Sequence, residues 1–281
     1  MKTVKEQIDH SLKGILSPSE LEYVRRALCI ELLGIKEISY YTEEVVRLST
    51  GMKRRLDDAL FKLSSGEPLQ YVLGKTPMCG LTFQVDRRVL IPRPETSELV
   101  ERIASDLKRK KTGRLLDIGT GSGCIAIVLS HLLPDWIIEG WDVSQDALEL
   151  AESNNRLNGT GVTFRMVDIL GDMAEKDIEG YDFIVSNPPY IAESESTEME
   201  RTVLDYEPHA ALFVPDDDPL LFYRVIAGFG LEHLRPDGAL YFEINPLYAD
   251  EMVPMLKFKG YRKVELCNDI SGKHRFIKCL L

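Results

Sequence analysis

From residue 97 onward, strand-like and helical runs alternate to the end of the chain, and few architectures accept that order. A strand followed by a helix returns the chain to its starting side, so successive strands pair in parallel and helices cover both faces of the sheet. The pattern predicts helices over 97–110, 124–133, 145–157, 220–234 and 248–258. Strands are expected over 114–118, 137–142, 162–167, 183–186 and 239–244, with two more at 263–266 and 275–280. A short helix is expected before the strand at 183, and a long polar loop after it. In such sheets ligands bind beyond the carboxyl ends of the strands, which is where the motifs of this chain fall.

The first 75 residues have a different grammar. Ser17-Pro18-Ser19-Glu20 is a capping box with proline in the first helical position, and Leu21, Val24, Leu28 and Leu32 follow at helical spacing. Gly34 is a plausible stop, and a second helical pattern runs from about Thr42 to Leu63. A small all-α domain over 1–75 follows. Residues 76–94 alternate like a strand around Leu81, Phe83 and Val85, then stiffen at Pro92-Arg93-Pro94. They read as a β-hairpin linker to a third segment, 95–281.

Charge narrows the partners. The chain carries a net −11, but residues 1–75 hold +1 and the remainder −12. A protein built chiefly to grip phosphates shows the opposite sign. The five cysteines are scattered with no paired spacing, which suits reduced thiols in a cytoplasm and gives no reason to expect a metal. No apolar run approaches the ~20 residues of a membrane helix, so no membrane association is expected.

Three signals point to a cofactor. The strand at 114–118 delivers Asp117 into Gly119-Thr120-Gly121-Ser122-Gly123, and a helix begins beyond it. Glycine permits positive φ and close approach of a ligand. A dinucleotide fingerprint needs its third glycine at 124, where this chain has Cys124. S-adenosyl-L-methionine (AdoMet) has no phosphate, and an acidic residue entering the turn suits its ammonium group. Asp142 closes the next strand, 23 residues after Gly119, where a carboxylate accepts from both hydroxyls of a ribose. Asp168-Ile169 closes the third, suited to an adenine amino group and ring face.

The chemistry is expected at Asn187-Pro188-Pro189-Tyr190, after the fourth strand. Two prolines fix φ and remove two N–H groups. The Pro188 carbonyl and the Asn187 side-chain oxygen are then two fixed acceptors, able to hold both hydrogens of an –NH2 group. Its lone pair points the third way, toward a methyl donor. Amide and aromatic-amine nitrogens are poor nucleophiles, and orientation at near-attack distance contributes ~7–11 kcal/mol to such reactions. Tyr190 is expected to pack on the planar group.

With these residues in view, the chain resembles the PrmC/HemK family of protein-(glutamine-N5) methyltransferases. The resemblance is carried by Pro68–Gly74, Gly80-Leu81, Val89–Thr96, Asp117–Gly123, Asn187–Tyr190, Tyr206-Glu207-Pro208 with Ala211-Leu212, and Phe242-Glu243-Ile244. It implies an α/β protein whose AdoMet-dependent (class I, Rossmann-like) methyltransferase sheet has seven strands, one antiparallel near an edge. The substrate it implies is the Gln of the Gly-Gly-Gln motif in peptide-chain release factors, a step in translation termination. It also implies cofactor contacts from Gly119–Gly123, Asp142, Asp168-Ile169 and Asn187, glutamine binding by Asn187–Tyr190, and docking of the release factor by the helical segment. The family's pattern is broken at Ser97, at Met78-Cys79 and at Asn245. Arg93 with Glu95 reads equally as a site pair or a structural ion pair, and Glu243 as a buried hydrogen-bonded acid in preference to a site residue. The alternative is an adenine-N6 methyltransferase acting on DNA or RNA with the same acceptor pair; the acidic catalytic half speaks against it.

Overall fold

A computed structural model describes residues 3–42, 46–171 and 180–281. The chain divides into two compact units, one of residues 1–75 with 200–206, the other of residues 76–199 with 207–281.

The first unit is helical. Helix α1 (Val4–Leu12) begins in a capping box at Thr3, and α2 (Pro18–Ala27) in the one at Ser17. The chain continues through a π turn, Leu28–Leu32, and ends at Gly34 with φ of 66°. Then come α3 (Glu37–Tyr41), α4 (Thr50–Ser64) and α5 (Leu69–Leu73). Helix α4 starts later than the apolar spacing suggests. The Ser49 side chain accepts from the Met52 amide and sets the N-terminus there, while residues 43–45 lie outside the described residues. Ile8, Leu12, Val24, Leu28, Leu56, Leu60 and Leu63 form the core of this unit.

The second unit opens with a hairpin of β1 (Lys75–Met78) and β2 (Leu81–Gln84). Its two-residue turn, Cys79-Gly80, has φ of 48° and 80°, the positive values a tight hairpin demands. The strand stops at Gln84, short of the expected extent. Helix α6 (Pro94–Leu107) begins three residues before the spacing indicates, because Pro94 is preset for a first helical position. Alternation follows: β3 (Arg114–Ile118), α7 (Cys124–Leu132), β4 (Ile137–Asp142), α8 (Gln145–Asn158), β5 (Thr163–Met166) and β6 (Tyr181–Ser186). The short helix expected between β5 and β6 falls largely on 172–179, outside the described residues.

The expected polar loop after β6 holds structure of its own. Strands β7 (Ile191–Ala192) and β8 (Phe213–Val214) pair in parallel, and between them lie two 3-10 turns and α9 (Arg201–Tyr206). Helix α9 belongs to the first unit, where the Tyr206 hydroxyl donates to the Ser65 carbonyl at 2.8 Å. Isolated apolar residues in an otherwise polar stretch, Ala192, Leu212 and Val214, are buried and anchor the segment. The chain closes with α10 (Leu221–His233), β9 (Leu234–Glu243), α11 (Ala249–Lys259), β10 (Lys263–Asn268) and β11 (His274–Leu280).

Seven strands form one sheet in the order β10-β11-β9-β6-β3-β4-β5. Strand β11 runs antiparallel to both neighbours; the others are parallel. Alternate residues serve opposite faces. Leu115, Phe183 and Val185 pack against α6 and α7 through Leu99, Ile103 and Ile125. Leu116, Ile184 and Leu240 pack against α10 and α11 through Tyr223, Ile226 and Met252. Register then aligns the carboxyl ends. Ile118 pairs with Trp141 on one side and Ser186 on the other, and Ser186 pairs with Phe242. The next residue of each strand, Gly119, Asp142, Asn187 and Glu243, therefore leaves the sheet along one edge. Among the described residues no helix is long and apolar enough to cross a membrane.

Candidate active site

A cavity opens at that edge, where the strand order reverses about β3. Its floor is the turn after β3. Gly119, Gly121 and Gly123 have φ of 74°, 54° and 78°. The turn is held by the Gly119 and Thr120 amides, which donate to the Trp141 carbonyl at 2.8 and 2.9 Å. A Cβ on Gly119 or Gly121 would meet no atom of the described residues within 4 Å, which leaves room there for a ligand.

Asp142 lines the cavity with one oxygen accepting from the Gly121 amide at 2.8 Å and the other from Ser144 at 2.9 Å. Burial raises its pKa, partly offset by these amides. A carboxylate has roughly four acceptor sites, so these backbone amides leave it capacity for a hydroxyl donor. Asp168 and Ile169 line the same cavity, Asp168 exposed and accepting from the Leu170 amide at 2.9 Å. Asp117 is placed otherwise than expected. It is fully buried behind the turn and does not line the cavity. One oxygen accepts from the Thr120 hydroxyl at 2.6 Å, and the Ala126 amide also acts on the carboxylate. Burial pushes its carboxyl up to about 7.

Asn187, Pro188 and Pro189 form the opposite wall. Among the described residues no donor takes the Pro188 carbonyl. The Asn187 amide nitrogen donates to the Thr96 hydroxyl at 3.4 Å, and that hydroxyl donates to Glu243 at 2.8 Å. Thr96 is 2% exposed and Glu243 1%. Burial pushes the Glu243 carboxyl up to about 7, against the lowering pull of Thr96 and Arg275. Tyr190 is a correction to the sequence reading. Its ring does not line the cavity but packs on the core beneath α10 and α11, and burial raises its hydroxyl pKa. The motif's last residue is thus an anchor in this structure, without the stacking position expected of it.

Arg93 also lines the cavity, and its partner is Glu207 at 2.5 Å, not its sequence neighbour Glu95. The Glu207 carboxylate additionally accepts from the Ile91 amide at 3.1 Å. Thus Ile91-Pro92-Arg93 and Glu207-Pro208, remote in sequence, meet at one wall. Asn154 was not legible as a site element. Fully buried on α8, it donates to the carbonyls of Ser122 at 2.9 Å and Gln84 at 3.1 Å, clamping the glycine turn to β2. The available signal was a polar residue on the apolar face of α8, in line with Ala147, Leu150 and Ala151.

An open glycine turn, a carboxylate with spare lone pairs, apolar walls at Ile118, Val143 and Ile169, and an uncommitted carbonyl at Pro188 fit AdoMet beside an amide or amine. Fold and site define an AdoMet-dependent class I methyltransferase, and residues 96–205 match the family described as methyltransferase small domain. The chain is 46% identical over 279 residues to the release factor glutamine methyltransferase of Bacteroides thetaiotaomicron, covering 99% of each. It is 38% identical over 281 residues to the protein of that name from Flavobacterium psychrophilum, covering 99% of this chain and 98% of that one. This chain belongs to the release factor glutamine methyltransferase family. Among solved structures, a 16S rRNA N2 G1207 methyltransferase of T. thermophilus in complex with AdoMet and guanosine shares the fold, with a TM-score of 0.53 at 15% identity, covering 73% of this chain and 49% of that one.

Proposed function

We propose that this enzyme methylates the side-chain amide nitrogen (N5) of the glutamine in the Gly-Gly-Gln motif of peptide-chain release factors, using Asn187 and Pro188 to hold that amide. The observation that carries the assignment is a Pro188 carbonyl that no donor takes among the described residues, beside an Asn187 whose NH2 end is turned back to Thr96. That leaves two acceptor oxygens on one wall of the cavity.

AdoMet, when bound, supplies an electrophilic methyl group on a sulfonium. Gly119–Ser122 would cradle it, with Gly123 closing the turn on the packing side, Asp142 would accept from its ribose, and Asp168 with Ile169 would frame the adenine. The substrate amide donates one hydrogen to Asn187 Oδ1 and the other to the Pro188 carbonyl. Both hydrogens are then held and the nitrogen lone pair is turned toward the methyl carbon. Transfer would form the N–C bond as the S–CH3 bond breaks, leaving S-adenosyl-L-homocysteine, and the two oxygens, fixed before the reaction, would stabilise the positive charge growing on the nitrogen. The alkylated nitrogen is strongly acidic, so one of its protons would pass to solvent after the N–C bond has formed, without a base having acted first. Tyr190 and the two prolines keep the oxygens from turning away. The helical unit is assigned to docking the release factor, and the acidic second unit to a protein substrate in the cytoplasm in preference to a nucleic acid.

Labelled-methyl transfer to matched release factor, duplex DNA and RNA tests the assignment. Label is expected in the release factor, at its Gly-Gly-Gln glutamine; label in nucleic acid only would end it. Asn187→Ala is expected to lower turnover by on the order of 100-fold or more while AdoMet binding changes little, as for loss of one preorganised transition-state contact. Near-normal turnover would show that the acceptor pair is misassigned.

A further inference from the structure

An asparagine side chain presents a donor on one end and an acceptor on the other, and only one orientation suits a substrate that itself brings two N–H groups. Something must set it. Asn187 has one side-chain partner among the described residues, the Thr96 hydroxyl at 3.4 Å. Thr96 Oγ1 carries a single hydrogen, and it points to Glu243 Oε2 at 2.8 Å. With that hydrogen committed, Oγ1 offers Asn187 lone pairs alone.

We propose that Thr96 and Glu243 are positioning residues for methyl transfer: the Glu243 carboxylate draws the Thr96 hydrogen, and Thr96 in turn accepts from the Asn187 NH2 group, fixing the Asn187 oxygen toward the reacting amide. The inference rests on the assignment of Asn187 as a substrate acceptor and adds what orients it. Thr96 and Glu243 are 2% and 1% exposed, so the Thr96–Glu243 hydrogen bond is buried, with Thr96 at the edge of the cavity that Asn187 lines. Glu243 lies one residue beyond the strand pairing that places Asn187, so β6 and β9 set the spacing of the relay directly.

The relay has two proton states. With Glu243 protonated, its own hydrogen goes to Thr96 Oγ1, and the Thr96 hydrogen is released toward Asn187. The Asn187 oxygen then turns inward to accept it, and its NH2 group faces the substrate NH2, which it repels. The groups around Glu243 bear on which state is held. Arg275 from β11 and the Tyr190 hydroxyl favour the ionised form, Glu95 from α6 opposes it, and burial opposes it most. The Tyr223 hydroxyl is taken by the Glu243 backbone carbonyl at 3.2 Å. Turnover is therefore expected to fall as pH drops through about 7.

Two kinds of measurement test this. In steady state, Thr96→Val is expected to lower kcat on the order of 100-fold with KM for AdoMet changed less than about threefold, and Thr96→Ser to restore kcat to within about threefold. The acid limb of the pH–rate profile is expected in the wild type and absent in Glu243→Gln; Asp117 titrates in the same range, so the difference between the two profiles is the readout. The second measurement needs no turnover: side-chain amide NMR of asparagine-labelled, cofactor-free enzyme, with the Asn187 signals assigned by Asn187→Asp. These signals are expected to move between pH 8 and 6 in the wild type and to be pH-independent in Glu243→Gln. Asn187 signals unmoved by pH in the wild type, or Thr96→Val turning over like Thr96→Ser, would overturn the relay. An enzyme that labels no release factor would overturn the functional assignment instead, and the NMR series would still decide the relay.

Discussion

Gly121 and Gly123 are indistinguishable in the motif, yet they are glycine for different reasons. Both hold positive φ, 54° and 78°, where a Cβ costs about 1–2 kcal/mol. Around Gly121 a Cβ meets open cavity; at Gly123 it meets Ile127 Cδ1 at 2.9 Å, Phe164 Cζ at 3.0 Å and Ala151 Cβ at 3.2 Å. One faces the ligand and the other the packing of α7 on α8. Gly123→Ala is expected to lose about 2–4 kcal/mol of stability, strain plus overpacking. Gly121→Ala is expected to lose only the strain, but to weaken AdoMet binding more than Gly123→Ala once both are folded. Urea unfolding and titration calorimetry separate the two. Equal stability losses would show that the turn is not packed as described.

At the scale of elements, Glu207 joins two walls of the cavity that the chain supplies more than a hundred residues apart, taking the Ile91 amide and the Arg93 guanidinium on a carboxylate that is 1% exposed. Arg93 is one-third exposed, which screens the pair and lowers what it contributes. Glu207→Gln keeps an acceptor and loses the charge, so a stability loss of about 1–2 kcal/mol is expected, with a raised KM for the release factor and a smaller change in kcat. An unchanged KM would mean that the wall holds without the pair. This contact also marks the limit of what the sequence discloses. The strands β3, β4 and β6 and their helices were legible because a doubly covered sheet writes itself as apolar runs broken by glycine turns and caps. Of the cofactor residues expected from strand ends, 119–122, 142, 168 and 169 line one cavity, and Gly123 does not. The burial of Asp117 behind the turn was not legible, because a residue at a strand end can face the ligand or the interior, and sequence carries no sign of which. Arg93 was paired with its neighbour because a partner across 114 positions leaves no local trace. The order inside 187–214 was hidden for the same reason: a two-residue strand pair has too little periodicity to read.

Across the whole molecule, two buried carboxyls work against the fold at neutral pH. Asp117 and Glu243 are both pushed up to about 7 by burial, whereas in the unfolded chain they titrate near 4. Between those values the folded protein binds protons that the unfolded chain does not. Their contribution to stability is therefore fully present below about pH 4 and is lost as pH rises through about 7. Acidification also relieves the net −11 charge, which acts in the same direction. The lowered carboxyls, Asp182 and Asp106 among them, oppose it only once pH approaches their unfolded values. The cofactor-free enzyme is thus expected to have a higher Tm at pH 5.5 than at pH 8. Tryptophan fluorescence is a suitable probe, since Trp136 and Trp141 are both buried in the second unit. The two causes part in the Asp117→Asn, Glu243→Gln double variant. If burial of the two acids sets the slope, the gain on acidification shrinks; a slope identical to the wild type would assign it to surface repulsion alone. The same ionisation that lowers stability holds the Thr96 hydrogen away from Asn187, so on this account the pH range that favours the fold is the one in which methyl transfer slows.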